Sequence, residues 1–333
     1  MIHLQGTEKI TEYANEAPGD PLISVCVQTY QHVNYIKECL DGILMQQTTF
    51  DFEIVLGEDA SDDGTRQICI DYAEKYPQKI RLFLHDRSNV VYIGGLATPR
   101  YNFLHGVHSA RGKYIAICEG DDYWTDPMKL EKQAAVMEQH PEYSLCVHAV
   151  KTIYEDVPEI DPFSINWEKN EFTFTDAIFN HFIPTLSILF PAKYVNLIPE
   201  WYTRCIVGDK PLLLFLLSHG NGYFIHEAMG VKRKHKGGIT AKKRDKKVLN
   251  IGWLNIYERI NAYTHYKHKR LLNACKIAPL ELSIAKDKLA AWHFLAGAKY
   301  LVHALFHGRT AMLRRVFHKY KKGLSQATSC AFF

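Results

Sequence analysis

The run LISVCV (22–27) is apolar with Ser24 as its one break. This is the pattern of a strand covered on both faces, because a half-exposed strand alternates polar with apolar. FEIVL (52–56), IRLFL (80–84) and KYIAIC (113–118) repeat the strand signal. The segments between read as helices. Ile36, Leu40, Ile43 and Leu44 fall on one stripe, and Ile68, Tyr72 and Tyr76 on another. Thr65 is expected to cap the second helix. Thr98-Pro99 and Asp126-Pro127 each read as a cap followed by a first-turn proline, the latter helix running to about His140. Strands and helices alternating at this spacing build βαβ units, which predicts an α/β protein with a mostly parallel sheet.

A chain of 333 residues, 47% hydrophobic and 23% charged, has the composition of a globular protein with a full core. Its formal charge of +4 gives no argument for nucleic acid. The eight cysteines show neither CxxC pairs nor metal-ligand spacing. Those in apolar runs, such as Cys26 and Cys118, read as small core residues, and a cytoplasmic setting is expected. Residues 1–20 form a leader lacking the basic and apolar regions of a secretion signal. No stretch reads as a spanning helix; the nearest, 289–306, carries His293, Lys299 and His303.

The alternation loosens after Lys151. Residues 153–172 are acidic and proline-bearing, which predicts a long surface excursion. PTLSILF (184–190) is expected to be a strand, and GDKPLLLFLLSHG (208–220) a short helix ending at Gly220. A boundary is placed near 241, where basic and aromatic helical patterns begin. The expected domains are therefore 21–240 and a helical region over 241–333.

In an open parallel sheet, ligands bind outside the carboxyl ends of the strands. Three polar clusters fall at such ends: Thr29-Tyr30, Glu58-Asp59 and Glu119-Gly120-Asp121-Asp122. Carboxylates this close repel one another unless a cation neutralises them. Hard oxygen ligands suit Mg²⁺ or Mn²⁺. Gly120 would let a ligand approach the backbone closely. The alternative is a solvated acidic loop, with Asp126 as a helix cap and Ser61, Asp62 and Asp63 as turn residues.

SVCVQTYQH, GEDASDDGT, ARGKYIAICEGDDYW, GDKPLLLFL and KRKHKGGIT stand in an order that resembles the family 2 glycosyltransferases, over roughly residues 21–240. The resemblance implies a GT-A fold, Rossmann-like with a mostly parallel sheet and flanking helices, here followed by a C-terminal helical extension. It implies inverting transfer from a nucleotide-diphosphate sugar to a glycan or lipid-linked acceptor, in cell-surface polysaccharide synthesis. It assigns Thr29, Tyr30, Glu58 and Asp59 to nucleotide-sugar binding, with Asp59 near the base. Glu119-Gly120-Asp121 becomes the DxD-like element, Asp121 holding Mn²⁺ or Mg²⁺, with Glu119 and Asp122 beside the donor. The first position is Glu where the family pattern has Asp. His235, between Lys234 and Lys236, is assigned to the metal or diphosphate. Asp209 is assigned as the general base; its alternative role is helix capping, since Pro211 follows.

Trp124 and Tyr123 are open to sugar stacking or core packing, and Arg100 and Arg111 are open to phosphate contact or, as preferred, to surface salt bridges. Over 241–333, basic residues mixed with Trp, Phe and Leu suit either an amphipathic cap or peripheral contact with an inner membrane face. Two alternative functions remain. A sugar nucleotidyltransferase usually has a glycine-rich loop after its first strand, and QTYQHVN has no glycine. A non-catalytic glycan-binding protein would be favoured by loss of the acidic cluster, which is present here.

Overall fold

The computed structural model describes residues 9–155, 157–161, 169–179, 183–241, 244–265, 267–290 and 296–307. The leader is described only from residue 9, and part of the 153–172 excursion lies outside the described residues. The strands are β1 (Ile10–Glu12), β2 (Ile23–Thr29), β3 (Phe52–Glu58), β4 (Ile80–His85), β5 (Val91–Ile93), β6 (Leu96–Thr98), β7 (Tyr114–Glu119), β8 (Tyr123–Trp124), β9 (Leu145–Tyr154), β10 (Val157–Asp161), β11 (Glu171–Phe172), β12 (Leu189–Pro191) and β13 (Gly222–Lys234). The helices are α1 (Ile36–Leu44), α2 (Thr65–Lys75), α3 (Arg100–Ser109), α4 (Lys129–Gln139), α5 (Phe174–Phe179), α6 (Asp209–Leu217), α7 (Lys246–Tyr263), α8 (Lys269–Leu272) and α9 (Ala278–Ala290). The chain divides into two units, at 243/244.

The first unit is built on one sheet in the order β1-β4-β3-β2-β7-β12-β9-β13-β11, with β10 beside β9 and β8 beside β13. β4, β3, β2 and β7 run parallel, as do β9 and β13, while β12 enters antiparallel to both β7 and β9. Every residue of β2 and β3 is buried, which is why their sequences do not alternate. Ile36, Cys39, Leu40 and Ile43 of α1 join Val25, Val27, Ile54 and Leu56 in one core cluster. α3 packs on β2 and β3. There Asn102 donates to the carbonyl of Gly57 at 2.9 Å. A Cβ on Gly57 would lie 1.8 Å from the Asn102 amide oxygen, so this crossing requires glycine.

Several local expectations are corrected. Gly64, with φ of +102°, precedes α2, and Thr65 is its first residue. PTLSILF splits into a 3₁₀ turn over Thr185–Ser187 and the short β12. α6 ends at Leu217 with Ser218 still right-handed, so Gly220 is not its cap. Gly220 lies instead where a Cβ would meet the Glu142 carbonyl at 2.6 Å. Arg100 is buried, not superficial: its guanidinium lies 4.4 Å from the Tyr202 ring and donates to the carbonyl of Cys205 at 3.1 Å. Asp126 does accept from the Met128 amide at 2.8 Å ahead of α4.

Trp124 is a core residue, its indole N–H donating to the Leu186 carbonyl at 2.9 Å. Beneath it lies Lys129, fully buried, with its ammonium 3.5 Å from the ring centroid and no hydrogen-bond partner. Burial pushes this amine down to about 7, despite nearby Cys118 and Cys146 pulling the other way. Between pH 7 and 10.5 the unfolded chain therefore binds more protons at this site, and its contribution to stability rises with pH. Lys129→Met keeps the stem and removes the amine. It is expected to stabilise the protein by about 2 kcal/mol at pH 6 and clearly less near pH 10, measured by urea unfolding at the two pH values.

Candidate active site

The ends of β2, β3 and β7 lie side by side, because Thr29 pairs in register with Glu58 and Gln28 with Glu119. The loops that follow are tied together. Gln31 and Ala60 both take positive φ, of 58° and 54°, an uncommon state for non-glycine residues. The Gln31 amide donates to Ser61 Oγ at 2.9 Å, and its side-chain amide reaches Asp62. The His32 amide donates to Thr65 Oγ1 at 2.8 Å, and the Val33 amide to Asp63 at 3.1 Å. Burial disfavours the Asp63 anion, but bonds from Thr65 and Val33 outweigh it and hold the carboxyl below its usual range. Ser61, Asp62 and Asp63 are turn-building residues, as the alternative reading had it.

His32 projects from this braced loop onto the acidic end of β7. Asp121 Oδ2 lies 3.1 Å from His235 Nε2 and 3.9 Å from His32 Nε2. Ligand atoms from these three side chains all fall within 4.8 Å of one another, forming a cluster able to hold a metal ion. Thr29 is buried and its hydroxyl sits 3.2 Å from His32 Nδ1, fixing the ring that faces Asp121. Gly120 makes the approach possible. A Cβ there would stand 2.6 Å from Thr29 Oγ1 and 2.9 Å from His32 Nδ1. The sequence reading gave Gly120 to a ligand; the groups that come close are Thr29 and His32.

The neighbouring carboxylates differ in what they face. Asp122 is buried and accepts from the Arg233 amide at 2.8 Å. Burial, then the charges of Asp121 and Glu119, push its carboxyl well above the usual range. Glu119 is raised as well, chiefly by burial, although Lys232 and Thr185 favour its anion, and its Oε2 is buried without a partner. Asp121 goes the other way. Burial disfavours its anion, but the His235 bond and the two imidazole charges outweigh this and lower it. The reciprocal effect raises His235 through its bond to Asp121, whereas burial dominates at His32 and lowers it. Arg233 closes this side, its Nε donating to the Asp121 carbonyl at 3.0 Å.

At the end of β3, Glu58 is fully buried, and its oxygens accept from the amides of Ala60 and Ser61 and from Arg66 Nε at 2.5 Å. Its carboxylate holds the loop together. Asp59 accepts from Arg87 at 2.8 Å, and the same guanidinium lies 4.0 Å from the ring of half-exposed Tyr30. Burial, opposed by Arg87, pushes Asp59 up to about 6. Asp209 begins α6 and accepts from the Lys210 amide at 2.7 Å. The structure thus gathers Thr29, Glu119, Asp121, Asp122 and His235 in one place, with Tyr30, Glu58 and Asp59 around the adjoining strand end. His32, Arg87 and Arg233 were missed by the sequence reading. QTYQH marks His32 only by its distance past the strand end, a weak signal without a fold.

The fold is GT-A, with a helical C-terminal region. TarS 1-349 of S. aureus, solved in complex with UDP-GlcNAc, superposes with a TM-score of 0.58 and 18% identity, covering 90% of this chain and 92% of that one. Residues 24–191 match the model of glycosyl transferase family 2, and the chain belongs to that family. An uncharacterized protein of Mycobacterium tuberculosis is 35% identical over 228 residues, 65% of this chain, which spans 60% of that relative's length. TuaG of Bacillus subtilis, named for teichuronic acid biosynthesis, is 28% identical over 230 residues, 67% of this chain and 83% of its own.

A donor set of one carboxylate and two imidazoles suits Mn²⁺ better than Mg²⁺, because imidazole is a poor partner for so hard an ion. His32→Ala, and Gly120→Ala by displacing His32, are each expected to weaken Mn²⁺ binding about 10–100-fold. Titration followed by electron paramagnetic resonance measures this. Unchanged affinity in both variants would remove His32 from the ligand set.

Proposed function

We propose that this chain is a divalent-metal-dependent, inverting glycosyltransferase using a nucleotide-diphosphate sugar. The observation that carries the reading is the Asp121–His32–His235 cluster at the carboxyl ends of β2 and β7, the place where open α/β sheets bind nucleotides. The family match and the UDP-GlcNAc bound to TarS support a nucleotide-sugar donor. The name of TuaG supports a cell-surface polysaccharide as the product class. A glycan or lipid-linked acceptor fits both.

In this reading Asp121, His32 and His235 would hold Mn²⁺, a Lewis acid that would supply charge neutralisation for a departing diphosphate. Asp59 accepts a hydrogen bond from the base, and Tyr30, half-exposed beside Arg87, offers a flat face to it. The buried Glu119 and Asp122 carboxyls border the donor and help to orient it. Asp209 takes the proton from the acceptor hydroxyl. The acceptor oxygen bonds to the anomeric carbon as that carbon's bond to phosphate oxygen breaks, and the electron pair leaves with the diphosphate. A single displacement inverts the anomeric centre.

Asp209→Asn is expected to lower turnover roughly 10²–10⁴-fold while donor affinity changes little, read from kcat and from calorimetric titration with UDP. Normal turnover in that variant would overturn the base assignment. A second outcome follows from Asp59. With its carboxyl near 6, the anion is lost as pH falls through that value, so metal-free UDP affinity should drop from pH 7 to pH 5 by up to about tenfold. In Asp59→Asn the profile should be flat at the low level. A wild-type profile that is already flat would remove Asp59 from the nucleotide site.

A further inference from the structure

His235 stands just past the sheet, where little of its own segment holds the ring. β13 ends at Lys234, and Gly237 and Gly238 bring no side chains to the turn that follows. A histidine so placed has several rotamers open to it, yet its Nε2 lies 3.1 Å from Asp121 Oδ2. The support comes from the residue before α1. Tyr35 lays its ring against the imidazole, with centroids 4.7 Å apart and planes tilted by 53°. The Tyr35 hydroxyl in turn donates to the Glu155 carboxylate. Glu155 is exposed, but its backbone is anchored: its amide donates to the Lys234 carbonyl at 3.1 Å, next to the paired residues Tyr154 and Lys234. Lys234 Nζ adds a second tie, donating to the Tyr154 hydroxyl at 2.9 Å.

These contacts close a ring, from His235 to Tyr35, to Glu155, to the backbone of Lys234 and so back to His235. The turn after β2 feeds it, because the Tyr35 amide donates to the His32 carbonyl at 2.9 Å. One braced loop therefore supplies both the His32 imidazole and the support for the His235 imidazole. We propose that Tyr35 and Glu155 are positioning residues for His235: the tyrosine ring sets the orientation of the imidazole, and the bond to Glu155 holds that ring. The proposal rests on the reading of Asp121, His32 and His235 as Mn²⁺ ligands, and extends it to two side chains that ligate nothing themselves. Without the bond the Tyr35 ring can turn toward solvent, and metal binding must then order His235 at its own cost. Groups that orient a ligating histidine are typically worth about 10–100-fold in metal affinity.

Mn²⁺ titration of the full chain by electron paramagnetic resonance tests this, with the melting temperature as the control for folding. Tyr35→Phe keeps the ring and loses the bond. Glu155→Ala loses the same bond from the other side, at an exposed position. Each is expected to weaken Mn²⁺ about tenfold, and the two together no more than either alone, because both break one bond. Glu155→Gln keeps an acceptor oxygen and should stay within about twofold of wild type. In a His235→Ala background Tyr35→Phe should change nothing further, whereas a general packing role would weaken binding there too. Any of three results overturns the proposal: both single variants bind Mn²⁺ like wild type, their effects add, or Tyr35→Phe still weakens binding once His235 is gone. Should His235→Ala itself bind like wild type, the ligand assignment falls and the positioning role with it. Wild-type affinity in Tyr35→Phe beside a weakened His235→Ala removes the positioning role alone.

Discussion

A parallel strand buried on both faces can offer side chains to a ligand only where it ends, and the first unit depends on that constraint. β2, β3 and β7 lie in register with their ends adjacent, so the polar groups at those ends are forced into one region. Buried like charges cannot all remain ionised without compensation. The structure resolves this unequally. Glu58 is compensated by Arg66 and two amides, and Asp59 by Arg87. Asp122 takes one amide, and Glu119 keeps an unpartnered oxygen. Only Asp121 is held ionised by groups that can themselves be metal ligands.

That inequality separates scaffold acids from site acids. A carboxylate already accepting from a guanidinium and two amides has little capacity left for a ligand. Glu58 therefore braces the loop that carries Asp59. Asp121 accepts from one imidazole and faces a second at longer range, with its side chain 21% exposed. Its remaining lone pairs point to a place that solvent or a ligand can reach.

The sheet and its helices were legible because burial on both faces suppresses alternation, and that absence is itself a pattern. LISVCV and FEIVL carry it in full. Thr185–Ser187 was read as strand because PTLSILF has the same apolar content, but a turn within it is decided by contacts that local composition does not encode. Asp121 and His235 were each singled out by their motifs. Their pairing across 114 residues was not legible, and His32 depends on a turn whose geometry rests on Gln31 at positive φ. Arg100 was misread for a related reason. An arginine beside a proline at a helix start looks exposed, until an aromatic ring from distant Tyr202 covers it.

Gly120 shows how closely the braces and the site are coupled. The loops after β2 and β3 hold two non-glycine residues in the left-handed region, a cost of about 1 kcal/mol or more each. Cross-loop bonds from Ser61, Asp63 and Thr65 offset it. What that arrangement secures is the position of His32, which could not stand 3.9 Å from Asp121 if residue 120 carried a side chain. A floppy loop would let His32 turn outward and leave Asp121 with one imidazole. On the proposed metal-holding reading, the strained turn is preorganisation: the second imidazole would already be in place before an ion arrives, so binding would not have to order the loop at that moment.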